Sequence, residues 1–182
     1  MSRSVLSVDP GLRGAGVALW NDTKRRLIAA AYVPNPEKSG GGPHESAQMA
    51  RAILSWAMAK AGEGISEAAL EYPRTYSGRA SRGDANDLFP LAAVDGALAA
   101  LLAFSKVKHY TPSEWKGGTQ KPDSTKEPYV VEAKVRMRLS PEELSCIEWP
   151  GNVKHGYDIV DSVGIGLHHL GRFERLRVYA RE

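Results

Sequence analysis

The sequence holds a single cysteine, Cys146, only three phenylalanines, and no low-complexity tract longer than Gly40-Gly41-Gly42. A lone cysteine closes no internal disulfide, which excludes a disulfide-stapled secreted scaffold and favours a reducing compartment. The longest apolar run, residues 98–104, falls far short of the roughly 20 residues a spanning helix needs. Met1-Ser2-Arg3-Ser4-Val5-Leu6 enters an apolar strand pattern at once and leaves no room for a cleaved signal peptide. The expected location is the cytoplasm, with no membrane partner and no small-molecule cofactor.

What is present is an ordinary globular composition, 42% hydrophobic and 25% charged over 182 residues, sized for one domain spanning residues 1–182. There are 24 Lys plus Arg against 21 Asp plus Glu, a formal charge of +3. That excess alone is weak support for a nucleic-acid partner, so the distribution of charge has to decide.

Hydrophobic periodicity supplies the organisation. Residues 4–9, 15–20 and 27–33 read as three strands joined by short turns, an antiparallel meander. Residues 45–61 follow helical spacing, 68–71 form a short apolar strand, and 73–83 form a polar loop. A second helix is expected over about 85–104, where Pro90 marks a kink or a late start. Residues 106–110 make a further strand, with a third helix over about 125–139 and a last one over 157–170. This order predicts an α/β fold with a mixed five-stranded sheet, three antiparallel strands then two parallel, flanked by helices.

Carboxylates recur where this scheme leaves the sheet. Asp9 ends the first strand before Pro10-Gly11, although Asp-Pro-Gly is also a common turn. Glu71 ends the fourth strand, and Asp158 and Asp161 lie three residues apart on one face of the last helix. Beside them the stripe Val160, Val163, Leu167 and Leu170 is apolar, and Gly164 and Gly166 suit a close approach of helix to sheet. Taken alone, Asp9 reads as a turn residue and Glu71 as a solvated strand-end acid, while Asp158 and Asp161 read equally as a solvated pair. Together they converge if the first and fourth strands are neighbours, as a right-handed mixed sheet in this order requires. Two carboxylates 4 Å apart repel by about 4 kcal/mol at an effective dielectric of 20, so a converging set needs cations. Oxygen-only ligands select Mg²⁺ or Mn²⁺, and two such ions would support hydrolysis of a phosphodiester.

In order along the chain, Val5-Leu6-Ser7-Val8-Asp9-Pro10-Gly11, Ala69-Leu70-Glu71, Tyr110-Thr111-Pro112-Ser113 with Trp115-Lys116, and Asp158-Ile159-Val160-Asp161-Ser162-Val163-Gly164-Ile165-Gly166 with His168-His169 resemble the RuvC-type Holliday junction resolvases. The resemblance spans about residues 5–170 and is specific in combination. It implies an RNase H-like fold, a homodimer, two Mg²⁺ or Mn²⁺ ions per site, and paired symmetric nicks in a four-way DNA junction, in a bacterial or phage-infected cell. It assigns metal binding and catalysis to Asp9, Glu71, Asp158 and Asp161, the Asp158 position being filled by His in some members.

The loop at 73–83 carries Arg74, Arg79 and Arg82 without an acid, two residues after Glu71, and reads as a DNA contact or as a solvated loop. Tyr76 is its stand-in for the aromatic that the family presents to the junction. Lys116 and Lys126 resemble the family's basic positions near the scissile phosphate. Lys134, Arg136 and Arg138 read as a solvated helix face, His155 as a loop histidine, and Trp20, Trp56, Trp115 and Trp149 as core or dimer-interface residues. The five histidines and one cysteine make no zinc site. Alternatives are a structure-selective nuclease for other branched or hybrid duplexes, a nucleotide-binding module of the actin and sugar-kinase type, and a non-catalytic DNA-binding relative.

Overall fold

In the computed structural model, which describes residues 3–37, 42–62, 64–72, 85–103, 105–117, 119, 121–122 and 127–173, alternation sorts the side chains of the first strand onto two covered faces. Strand β1 (Ser4–Asp9) is buried along its whole length. Val5, Ser7 and Asp9 point to one side and Leu6 and Val8 to the other, where they join separate cores. Strands β2 (Gly14–Asn21) and β3 (Arg26–Pro34) complete the expected meander, β1 and β2 pairing antiparallel with Asp9 opposite Gly16. Helix α1 (Pro43–Ala61) then crosses to strand β4 (Ile65–Glu71), which runs parallel to β1 with Val8 opposite Leu70. Helix α2 (Ala85–Leu101) runs through Pro90 and leads to strand β5 (Lys106–Tyr110), parallel to β4. The sheet order is β3-β2-β1-β4-β5, the mixed arrangement expected from the sequence.

Helices α1 and α2 cover one face through Met49, Ile53, Ala57, Val94 and Leu98. The other face is covered by helix α6 (Val153–His169), helix α4 (Val130–Arg138) and the short helix α3 (Pro112–Trp115). With cover on both sides, β1 reads as a continuous run rather than an alternating one. Among the described residues no helix is long and apolar enough to cross a membrane.

Boundaries differ from expectation where caps decide them. Helix α6 starts at Val153, four residues before the expected 157, because the Asn152 side chain accepts a hydrogen bond from the Lys154 N–H at 3.0 Å. The third long helix is shorter than expected, Val130–Arg138. Two four-residue helices, α3 and α5 (Pro141–Leu144), were not expected, and each opens on a capping box, Thr111 with Glu114 and Ser140 with Glu143. Of the four tryptophans, Trp20 and Trp115 are core residues and Trp56 is half-buried against the α1 side of the core, whereas Trp149 is exposed under the Arg136 guanidinium.

A partly buried ion pair ties the α6 side together. Arg172 grips Glu143 with both nitrogens, at 2.6 and 2.9 Å, and donates to the Arg25 and Arg138 carbonyls. Glu143 also accepts from the Leu27 and Ser140 N–H groups, both at 2.9 Å. Although burial would raise it, these partners pull the Glu143 carboxyl down to about 2. Folding therefore gains stability from this group above its ordinary pKa, and the gain is lost as pH falls from about 4.5 to about 2. Glu143→Ala is expected to cost about 3 kcal/mol at pH 7, and the melting-temperature gap to wild type should close between pH 5 and pH 2. A gap independent of pH in a thermal-denaturation series would exclude this role.

Candidate metal centre

Parallel pairing of β1 with β4 sets Asp9 and Glu71 side by side where the two strands leave the sheet. Helix α6 brings Asp161 over them. Its approach depends on Gly16: a Cβ there would collide with the backbone carbonyl of Asp158. Further along, Gly166 seats against Trp20 and Ser7 on the sheet, as the spacing suggested, but Gly164 seats against the Trp115 ring of α3 instead. Asp161 is completely buried, deeper than the edge position expected for it, and Asp158 stays half-buried one turn earlier.

One carboxylate oxygen each from Asp9, Glu71 and Asp161 lies within 4.8 Å of the others, a spacing that would hold a metal ion. Asp158 stands outside this triad. The donor set is all carboxylate, which fits hard, oxygen-seeking divalent cations such as Mg²⁺ or Mn²⁺ rather than zinc.

Two lysine ammonium groups neutralise the cluster. Lys116, placed by α3 just after β5, lies 2.7 Å from Asp161 and 3.4 Å from Glu71. Lys121 lies 2.8 Å from Asp9, 2.7 Å from Asp158 and 3.2 Å from Asp161, so it joins Asp158 to the triad. Neutral donors fix the remaining oxygens. The Trp115 Nε1–H donates to Glu71 at 2.7 Å, and the Tyr129 hydroxyl donates to Asp161. Each is the kind of outer contact that orients a metal ligand.

Burial pushes the Asp9 carboxyl up to about 8; Lys121 opposes the rise, and the neighbouring Glu71 and Asp161 charges add to it. Glu71 is raised by burial against the pull of Lys116. Burial would raise Asp161 too, but Lys121, Lys116 and the Tyr129 hydrogen bond hold it below its ordinary value. The carboxylates thus separate into a permanent anion, Asp161, and an acid that keeps its proton near neutrality, Asp9. Burial and the Asp161 charge also hold the proton on Tyr129.

Of the residues singled out in the sequence, Asp9, Glu71, Asp158, Asp161 and Lys116 come together here. Arg74, Tyr76, Arg79, Arg82 and Lys126 lie outside the described residues. Sequence reasoning missed Lys121, Tyr129 and the second role of Trp115. The need for cations was legible in the four acids, but which lysine supplies them depends on the chain path after α3. Beside the cluster, Tyr32 and His155 stack with ring centroids 3.9 Å apart and an interplanar angle of 3°.

No family model and no curated protein sequence matches the chain. Solved structures do. T. thermophilus RuvC in complex with a Holliday junction substrate superposes with a TM-score of 0.57 at 17% identity, covering 94% of this chain and 98% of that one. A second T. thermophilus RuvC structure gives 0.52 at 17% over the same shares. The yeast mitochondrial Holliday junction resolvase gives 0.53 at 13%, covering 94% of this chain and 80% of its own. The five-stranded mixed sheet and its helices are those of the RNase H-like fold, over nearly the whole chain.

Gly16→Ala should lift α6 off β2 and cost about 1–3 kcal/mol or more, read as a lower melting temperature. Gly151→Ala, which meets nothing within 4 Å, should stay within about 0.5 kcal/mol of wild type; equal losses in both would refute the close-approach argument. Because the Asp9 pKa is raised on folding, the metal-free protein should lose stability as pH climbs from about 4 to about 8. Asp9→Asn removes that loss, so its melting-temperature advantage over wild type should widen from pH 5 to pH 9, and a constant difference would contradict the assignment.

Proposed function

We propose that the protein is a divalent-metal-dependent endonuclease that resolves four-way DNA junctions by paired, symmetric nicks. One observation carries the reading: two carboxylates at the ends of adjacent parallel strands and a third from helix α6 converge, in a fold shared over 94% of the chain with a RuvC in complex with a Holliday junction. Asp9, Glu71 and Asp161, with Asp158 alongside, would hold two Mg²⁺ ions, for which Mn²⁺ would substitute. Bound there, the ions supply a water activated for in-line attack and charge to stabilise the leaving oxygen. Tyr129 and Trp115 keep Asp161 and Glu71 oriented, and burial among apolar residues keeps these carboxylates from swinging into solvent.

The remaining parts of the reading rest on charge and exposure. Arg74, Arg79 and Arg82, on the segment following Glu71, would neutralise phosphates flanking the cut, with Tyr76 presented to the junction and Lys126 adding a further phosphate contact. A homodimer would set two such centres against opposing strands. The outward side of α2 supports it, since Phe89 is 74% exposed and Ala92, Gly96, Ala100 and Leu101 are exposed on the same helix. The chain would act as one domain over residues 1–182, in the cytoplasm of a bacterial or phage-infected cell.

The deciding experiment is cleavage of a synthetic four-way junction with Mg²⁺ or Mn²⁺, mapped at nucleotide resolution beside flap, splayed and hybrid duplexes. Symmetric nicks confined to the junction are expected. Asp161→Asn should lower the rate by about 100-fold or more, and Tyr129→Phe, which leaves every ligand in place, by about 10–100-fold. No metal-dependent cleavage of any substrate, or cleavage that Asp161→Asn leaves intact, would refute the nuclease reading; preferential cutting of the hybrid would move it to another substrate class.

A further inference from the structure

The proposed metal centre contains its own cations. Lys121 Nζ sits within 3.2 Å of carboxylate oxygens from Asp9, Asp158 and Asp161, three of the four acids that would ligate divalent ions. An ammonium among three carboxylates is placed as a cation would be. We propose that Lys121 is a tethered counter-cation that fills part of the centre in the metal-free protein and is displaced when divalent ions bind. The inference rests on the metal-centre reading above and goes beyond it by making the occupancy competitive.

Two contrasts single out Lys121 from Lys116. Its side chain keeps 34% of its surface exposed, against 8% for Lys116, so Lys121 is the less enclosed side chain of the two. Lys116 is also held by the Trp115 ring, 4.7 Å from its Nζ, and by its backbone N–H bond to Pro112 at the end of α3. Lys116 therefore stays as a permanent partner of Asp161 and Glu71.

Charge gives an independent reason. Four ionised carboxylates, one retained ammonium, two divalent ions and one phosphodiester sum to neutrality. Keeping Lys121 in place as well leaves a surplus positive charge in a buried site, which low-dielectric surroundings penalise. Without metal the balance reverses, and Lys121 limits the repulsion between Asp158 and Asp161. Metal affinity is then weaker than the carboxylates alone would give, because each binding event must first expel the ammonium.

The test needs only the protein and Mn²⁺. Isothermal titration should show Lys121→Gln binding Mn²⁺ about 5- to 150-fold more tightly than wild type, the range of ordinary coupling between two ligands. Lys121→Arg, which keeps the cation, should remain within about threefold of wild type and guards against a folding defect in the Gln variant. In side-chain ¹H–¹⁵N spectra, the Lys121 ammonium signal should shift or vanish on saturation with Mg²⁺ while that of Lys116 persists. Equal or weaker Mn²⁺ binding by Lys121→Gln, or a Lys121 signal unmoved by saturating Mg²⁺, would overturn the inference and leave the nuclease reading standing. Absence of divalent binding in both proteins would overturn both.

Discussion

Mutual repulsion among buried carboxylates is the constraint around which this molecule is arranged. Sheet topology forces Asp9 and Glu71 together, because the strands that end on them are parallel neighbours, and α6 adds Asp161 above them. No apolar core holds three acids within 4.8 Å of one another without compensation. The compensation is distributed: two lysines carry opposite charge, a tyrosine and a tryptophan donate neutral hydrogen bonds, and burial keeps a proton on Asp9 near neutrality.

The apolar part of the fold serves the same end. Trp115 fills the space opposite Gly164 while its Nε1 orients Glu71, so one residue joins core packing to site geometry. On the sheet, Trp20 does comparable work: it seats under Gly166 and donates to Ser7 at 2.9 Å, fixing the far end of α6. Glu143 and Arg172 anchor the end of the same helix to β3, α4 and α5 through a partly buried pair with further hydrogen bonds to the backbone. The position of Asp161 thus follows from contacts along the whole of α6, several of them far from the metal centre.

Strand order and the main helices were legible because they rest on local patterns of apolar and polar residues and on the handedness of parallel crossovers. The four acids were legible for a related reason, since each sits at a strand end or a fixed helical spacing. Both capping boxes were present in the sequence, Thr111-Pro112-Ser113-Glu114 and Ser140-Pro141-Glu142-Glu143, yet hydrophobic periodicity passes over helices of four residues. Trp115 also illustrates the limit of pattern: its size argued for the core, and nothing local announced that its N–H faces a carboxylate.

The sequence by itself determined the order of the strands and long helices, the mixed sheet and the identity of the acids, since these depend on residue type and near-neighbour spacing. Only the tertiary structure decided the full set of cations that answer them. Lys116 was singled out by resemblance, but Lys121 is one of many basic residues between 106 and 138, indistinguishable by composition, and what brings it to the acids is the path of the chain after β5. It also separated Asp161 from Asp158: three residues apart on one helix, one is sealed under the sheet edge and the other half-exposed, because burial is a property of what packs against a residue.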